Sequence, residues 1–544
     1  DRRGEIKIVV PSLLSVLDTL VAYAVAAFLE EEPIFRYDAV GPEDVVAAKM
    51  LEHIIQQQCI YNKVPLALIT QFRNSFAYGI GPNAVSWGTI WGNKLEYDPL
   101  GGKRLVRDVL HEGNVVDAID PYDYLPDPNV PAHRVADGEF VGWIERTNYR
   151  SIQLAEDRNN GYFNVKYFEE SAGTCSALGE RYFPGTDMDT IPVADDTSHP
   201  IDVINMYAYL VPSKFGLASG EDIELWFLSV AAGEVLIRAE RVDTLYNHFP
   251  VTCMAPDTDG YAVSPLSKLE SLMSLQDSLN WFLSARMTSV KKSINDKLLI
   301  DPFMVNMNDL MDPTNDGGII RLRKPAFGKG LESAIKQLNT VDVTQSHVQD
   351  VGYLMDLVHR ASGASDAMQG VFQKRGERVS ASEASSVISG ALSRMHAVIK
   401  RMTYQSMMDT SRIMAMNTQL YMSQDTVVKL SSGVYAELRG MYPWLPEVVS
   451  VSPSDINIPF DVQPKDGTIP TADNAAVWVQ LLQTVTSIPT LLPRFNVEAM
   501  VKHIAHKLGA KNVGDFVMPN VNLQVQPTEQ VMNEVDKGNL LPLG

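Results

Sequence analysis

The sequence predicts an α+β fold in which strands and helices occupy separate stretches of a long chain. Three observations carry this. From Ala84 to about Ala262, apolar residues recur with a period near two between turn signals such as Asp120-Pro121, Asp127-Pro128 and Gly220. From Ser264 to Asp296, and again from Ser380 to Met422, they recur at three- and four-residue spacing. Shorter helical patterns lie near both ends. A chain of 544 residues is too long for one core, so three or four domains are expected.

In chain order, residues 1–80 predict three helices. The first, Val9 to Leu29, is apolar over about the length of a membrane span, but Pro11, Ser12, Ser15, Asp18 and Thr19 interrupt it and Glu30-Glu31-Glu32 follows. It is read as a core helix. The second runs from Gly41-Pro42-Glu43-Asp44 to about Tyr61, and the third follows Pro65 and stops near Gly79. Gly79-Ile-Gly81 has no third glycine and no preceding strand, so it is a turn and not a nucleotide loop.

The strand candidates are Val85–Trp91, Asn114–Ile119, Phe140–Glu145, Ile201–Leu210 and Ile223–Val230, interrupted by one helix from Asn148 to Asp157. They predict a mainly antiparallel sheet whose aromatic residues (Trp87, Trp91, Trp143, Tyr207, Tyr209, Trp226, Phe227) fill its core. Ser264-Pro265 then opens a helix about 50 Å long if unbroken, at ~1.5 Å per residue. Lys297–Asp301 predicts a strand, Asp312–Gly318 a reversal, and Ile319–Arg323 its partner strand. A second helix spans Thr344 to Ser362, with Gly363 as its cap. A basic loop, 364–379, precedes the capping box Ser380-Ala-Ser-Glu383 of a helix reaching Met422. Small residues crowd the start of that helix, and seven methionines follow. Helices this long, 264–296 and 380–422, are expected to leave apolar surface for neighbouring chains. Returning strands are predicted at Val427–Leu430 and Ile456–Val462, then helices at Thr471–Thr486 and Val497–Leu508.

Function classes narrow by elimination. Cys59, Cys175 and Cys253 lie far apart with no CxxC spacing, so neither a disulfide framework nor a zinc site is expected, and a reducing compartment is the default. No basic segment with a cleavage site opens the chain, so no signal peptide is expected. GxSxG, Walker lysine and HExxH patterns are missing, which argues against the corresponding enzymes. His503 and His506 share a helix face, but no Cys or second His pair accompanies them. Asp301, Asp309 and Asp312 read first as turn formers. No cofactor is implied. The net charge of −20 argues against wrapping nucleic acid over the whole surface. It allows nucleic acid to slide past.

The order of parts resembles that of tailed-bacteriophage portal proteins: a mixed α/β domain, a helix, a β-bearing insertion, a helix, a short loop and a long helix. Ser362-Gly-Ala-Ser-Asp-Ala-Met-Gln-Gly370, the basic loop and Ser380-Ala-Ser-Glu-Ala384 resemble the portal passage from stem into long helix. Asp120-Pro-Tyr-Asp-Tyr-Leu-Pro-Asp-Pro128 is similar to the wing turn. Phe460–Gly467 and Leu508–Phe516 are similar to later parts.

The resemblance implies a wing (1–262), stem helices (263–296 and 344–363), a small β-containing clip (297–343), a tunnel loop (364–379), a long crossing helix with returning wing strands (380–470), and a C-terminal helical crown and tail (471–544). It implies a non-catalytic ring, usually of twelve copies, at one capsid vertex of the virion, assembled in the host cytoplasm. Double-stranded DNA would pass through it. The implied partners are the terminase large subunit, the major capsid and scaffolding proteins and a head–tail adaptor, with no membrane. Between Trp281 and Val343, nine basic residues face seven acids, a local balance of +2. Within the resemblance, Lys374, Arg375 and Arg378 of the loop are the candidate DNA contacts, followed by Lys291, Lys292, Arg321, Arg323 and Lys324 in stem and clip. A different non-catalytic virion protein, from the neck or the head interior, shares this profile. Ring symmetry separates the two.

Overall fold

A computed structural model describes residues 7–30, 32–41, 44–97, 103–157, 161–167, 200–231, 233–246, 248–294, 297–311, 321–326, 335–338, 347–362, 394–423, 426–429, 448–463 and 472–487, with 497, 500, 501 and 504 singly. Residues 1–428 with 450–469 form one unit, and 429–449 with 470–544 a second.

The first unit opens with helix α1 (Ser12–Leu29), strand β1 (Arg36–Ala39) and helices α2 (Val45–Tyr61) and α3 (Val64–Tyr78). α1 is long and apolar enough to cross a membrane. One stripe of it (Val16, Leu17, Leu20, Ala24, Phe28) is nevertheless buried, and Phe28 meets Phe72 of α3 at 5.4 Å between ring centroids. α3 carries Pro65 in its first turn and ends at Gly79, whose φ of +84° is the left-handed cap that the sequence pattern requires.

A long antiparallel hairpin follows, β2 (Gly81–Tyr97) with β3 (Lys103–Ala118), well beyond the two short strands predicted there. Strand β9 (Val251–Met254) pairs with the start of β2, completing a three-stranded sheet in the order β3-β2-β9. A five-stranded antiparallel sheet runs in simple sequence order: β4 (Tyr124–Pro126), β5 (Phe140–Asn148), β6 (Pro200–Leu210), β7 (Glu224–Ala231) and β8 (Val235–Arg241). Helix α4 (Tyr149–Asp157) buries Tyr149 and Ile152 against Ile201, Val203 and Ile237. Ile80, Ala84, Val141, Leu225, Phe249 and Cys253 make one cluster that joins the two sheets. Trp226 is buried while Trp87 and Trp143 are half-buried, so the strand phase holds. Trp91 corrects the expectation of an all-core aromatic set. It lies past the body on the hairpin and is 57% exposed.

Helix α5 (Lys268–Ile294) starts three to four residues after the predicted Ser264-Pro265 cap. The cap is Ser267, whose Oγ accepts the backbone N–H of Glu270 at 2.9 Å. Pro265 is instead buried beside the end of α3, with its carbonyl oxygen at the open side of Gly79. The N-terminal segment lies along α5: the Ile8 N–H donates to Ser284 Oγ and the Val10 N–H to Asn280 Oδ1, both at 3.0 Å. α5 also packs against α6 (His347–Ser362). Between them, β10 (Lys297–Ile300) pairs with β11 (Ile335–Leu338), not with 321–323, the described end of the partner strand that the turn signals suggest. The later strand supplies Ile335 opposite Ile300 and Leu338 opposite Lys297, whereas Leu322 makes only an isolated bridge to Val305.

A helix over 394–421, α7, crosses the unit. Its middle, Thr403–Met407, is a π-helical turn, and Met408–Tyr421 completes it. Met395, Met402, Met407, Met414 and Met422 are all at most 6% exposed. Its own chain covers these methionines, so over the described part the apolar surface expected for neighbours is confined to Tyr404, Leu420 and Tyr421. The same expectation holds for α5, where Met273, Trp281 and Met287 are exposed. Strands β12 (Thr426–Lys429) and β13 (Val448–Val451) follow, then β14 (Phe460–Gln463), which returns to pair with β1. The described part of the second unit is chiefly helix α8 (Ala472–Ser487), close to its predicted span. The loop 364–379, the first part of the crossing helix (380–393), the 312–318 reversal, Gly363, His503, His506 and most of 497–508 lie outside the described residues.

Candidate nucleic-acid interface

The candidate cations of the β-bearing insertion are placed by short-range hydrogen bonding. Asp301 Oδ1 accepts the Phe303 N–H at 2.9 Å, turning the chain after β10 as an Asp-Pro pair should. The chain at 304–306 then lies beside 321–323: the Asn306 N–H donates to Arg321 O at 3.1 Å and the Arg323 N–H to Met304 O at 2.9 Å. Arg321, Arg323 and Lys324 are thereby gathered on one exposed segment. They differ in availability. Arg321 Nε and Nη2 each donate to the Asp309 carboxylate at 2.9 Å, and its backbone N–H adds a third bond at 3.2 Å. This clamp holds the Asp309 carboxyl below its usual range. It also leaves Arg321 with little net field to offer a phosphate.

Lys291 is exposed on the last turn of α5, and the side chain of Lys292 lies outside the described residues. Lys374, Arg375 and Arg378 lie outside them as well. Asp301 and Asp309 are both occupied locally, one in a turn and one in an ion pair, and Asp312 is not described. Cys59 and Cys253 are buried, which pushes both thiols up to about 12, far from a reactive thiolate.

Two features escape sequence reasoning. The first is a buried polar network binding α7 to β1, α2, α3, β2, β3 and β9. Gln71 Nε2 donates to Ser406 Oγ at 2.9 Å, and Thr252 Oγ1 donates to Asn83 Oδ1 at 2.6 Å and lies 2.9 Å from Ser406 Oγ. Farther along, Asn114 Nδ2 lies 2.7–2.9 Å from Gln58 Oε1, Met414 O and Thr418 Oγ1, and Tyr37 OH donates to Ser411 O at 2.8 Å. Scattered Gln, Asn, Ser and Thr residues carry no periodic signal, so only the fold brings them together. The second is a groove of about 890 Å³ between the two sheets. Trp143, Tyr207 and Phe227 pack along it as tilted rings, and six carboxylates line it against three arginines.

The helix, β-bearing insertion, helix and crossing helix thus follow in the expected order on an α+β body. A family model described as phage SU10 portal protein matches residues 115–537. The chain belongs to that portal protein family. No curated protein matches. Portal proteins are structural, non-catalytic components of the phage virion. The match to the portal family begins inside β3 and takes in the five-stranded sheet, α5, α6 and α7, so the distal part of the β2–β3 hairpin precedes it.

Proposed function

We propose that the chain forms a closed ring, of twelve copies in the usual portal count, at one vertex of the capsid. The ring is the passage for genome packaging and ejection and the platform for terminase, capsid, scaffolding and adaptor proteins. Residues 1–262 make its wing, 263–296 and 344–363 its stem, 297–343 its clip, 364–379 its tunnel loop, 380–470 its crossing helix and returning strands, and 471–544 its crown. The observation that carries this is the family match across 115–537, which spans the stem-to-crown order in one stretch.

The physical requirement on such a channel is weak attraction. Each Lys or Arg that meets a phosphate releases counterions and adds affinity, and a ring repeats every contact around its axis. A chain of net charge −20 with a few cations at defined levels guides DNA without retaining it. Lys374, Arg375 and Arg378 are the loop cations in this reading, and Lys291, Lys292, Arg323 and Lys324 add stem and clip contacts. Arg321 contributes least, because Asp309 already neutralises it.

Replacing Lys374, Arg375 and Arg378 together by Ala should leave assembly intact but lower the yield of filled heads in a packaging assay by at least tenfold. A triple variant that packages and retains the genome like the parent removes the charge role from the loop.

A further inference from the structure

The distal half of the β2–β3 hairpin is a ribbon with exposed apolar side chains that no other described residue covers. The register pairs Trp91 with Val109, Asn93 with Arg107 and Leu95 with Leu105, which places these six side chains on one face. Trp91, Leu95 and Leu105 are 57%, 45% and 66% exposed. The other face is mixed: Lys94 pairs with Asp108 at 3.1 Å and Glu96 stands opposite Arg104, but Val106 and Leu110 lie there as well. A two-stranded ribbon is marginal in water without a surface to cover its apolar face. It is also slightly basic: residues 91–109 carry four Lys and Arg against three acids, +1 in a chain of −20.

The groove between the two sheets has the opposite character. Asp117, Asp120, Asp123, Glu145, Glu240 and Asp243 line it with Arg146, Arg238 and Arg241, a balance of −3, between aromatic walls. Its arginines already face acids: Arg146 meets Asp123, Arg238 meets Glu240, and Arg241 meets Asp243. The groove therefore offers aromatic surface for an apolar face and surplus carboxylate for a cation. Its own ribbon cannot fill it. Ala84–Trp87 and Asp117–Ala118, at the root of the ribbon, form part of the groove wall, and Leu95 stands about 27 Å farther along β2 at ~3.4 Å per residue. A neighbouring copy displaced by about that distance presents its groove at the right place.

We propose that the β2–β3 ribbon is an assembly arm, whose Trp91, Leu95, Leu105 and Arg107 face docks in the acidic aromatic groove of the next copy. This rests on the ring reading above and names the contact that builds it. The contact is heterologous, since each copy gives an arm and receives one, and such contacts close into rings or run on as filaments. DNA is the alternative partner for a basic arm, but a face of Trp, Leu, Leu and Val is suited to aromatic walls and not to phosphate.

Two full-length variants test it: an arm variant, Leu105→Asp with Arg107→Glu, and a groove variant, Asp117→Lys with Asp243→Lys. All four positions are solvent-exposed or on the groove surface, and circular dichroism checks that each variant keeps the parent fold. Each alone should need at least tenfold more protein to assemble than the parent in sedimentation velocity. Mixed in equal amounts, they should form a two-chain species, because one intact arm and one intact groove remain between them. If the parent forms rings and either folded variant assembles equally well, the arm proposal fails while the ring reading stands. The proposal also fails if the mixture stays monomeric, or if the arm variant loses only DNA affinity. A parent that forms no ring under the same conditions refutes the ring reading itself.

Discussion

Thr252 sits where β9, β2 and α7 meet, with its hydroxyl within 3.1 Å of Asn83, Ser406 and Thr410. All four residues are buried, so water cannot replace a lost partner. Thr252→Val keeps the shape and removes the hydroxyl, and should lower stability by about 1–3 kcal/mol in a denaturant titration. An unchanged midpoint would mean that the network is not needed to hold α7. His53 makes a second case. Burial holds its imidazole below the ordinary value, and its Nε2 has no hydrogen-bond partner among the described residues. The unfolded chain therefore takes up the proton more readily than the folded one. Stability should rise with pH through this window and be lost as pH falls below about 6.5. His53→Gln should flatten that slope in urea midpoints measured from pH 5 to 8, and a slope as steep as the parent's would show that other groups set it.

At the level of elements, the junction of α3 with the start of α5 depends on Gly79. Its φ of +84° disfavours any side chain, and a Cβ there would stand 2.2 Å from the Pro265 carbonyl oxygen. Gly79→Ala should cost roughly 1–3 kcal/mol from backbone strain alone, with the clash added, and should lower the melting temperature by several degrees. The sequence marks Gly79 as a turn because glycine past an apolar stripe is a local signal. Strand and helix positions were legible for the same reason: β5, β6, β7, α4 and α8 fall within a few residues of their periodicity. What was not legible depends on distance along the chain. Ile319–Arg323 supplies Ile319, Ile320 and Leu322 after a turn signal, yet β11, later still, takes the place beside β10. The methionines of α7 are compatible with either a covered or an exposed helix, and contacts with residues some 300 positions away decide it. The cations of the insertion could be found by counting, but the Asp309 clamp that neutralises Arg321 could not.

For the whole molecule, the family match and the exposed face of α5 lead to the same requirement. Met273, Trp281 and Met287 stand on a long helix whose exposed apolar side chains favour a neighbour. The proposed ring would supply such neighbours by setting copies side by side about an axis. The most direct test is electron microscopy of the purified full-length protein, with class averages sorted by rotational symmetry. The account predicts closed rings with an axial hole wide enough for a DNA duplex and a single dominant symmetry, twelve-fold in the usual count. Monomers, two-fold dimers or open filaments at micromolar concentration would contradict it.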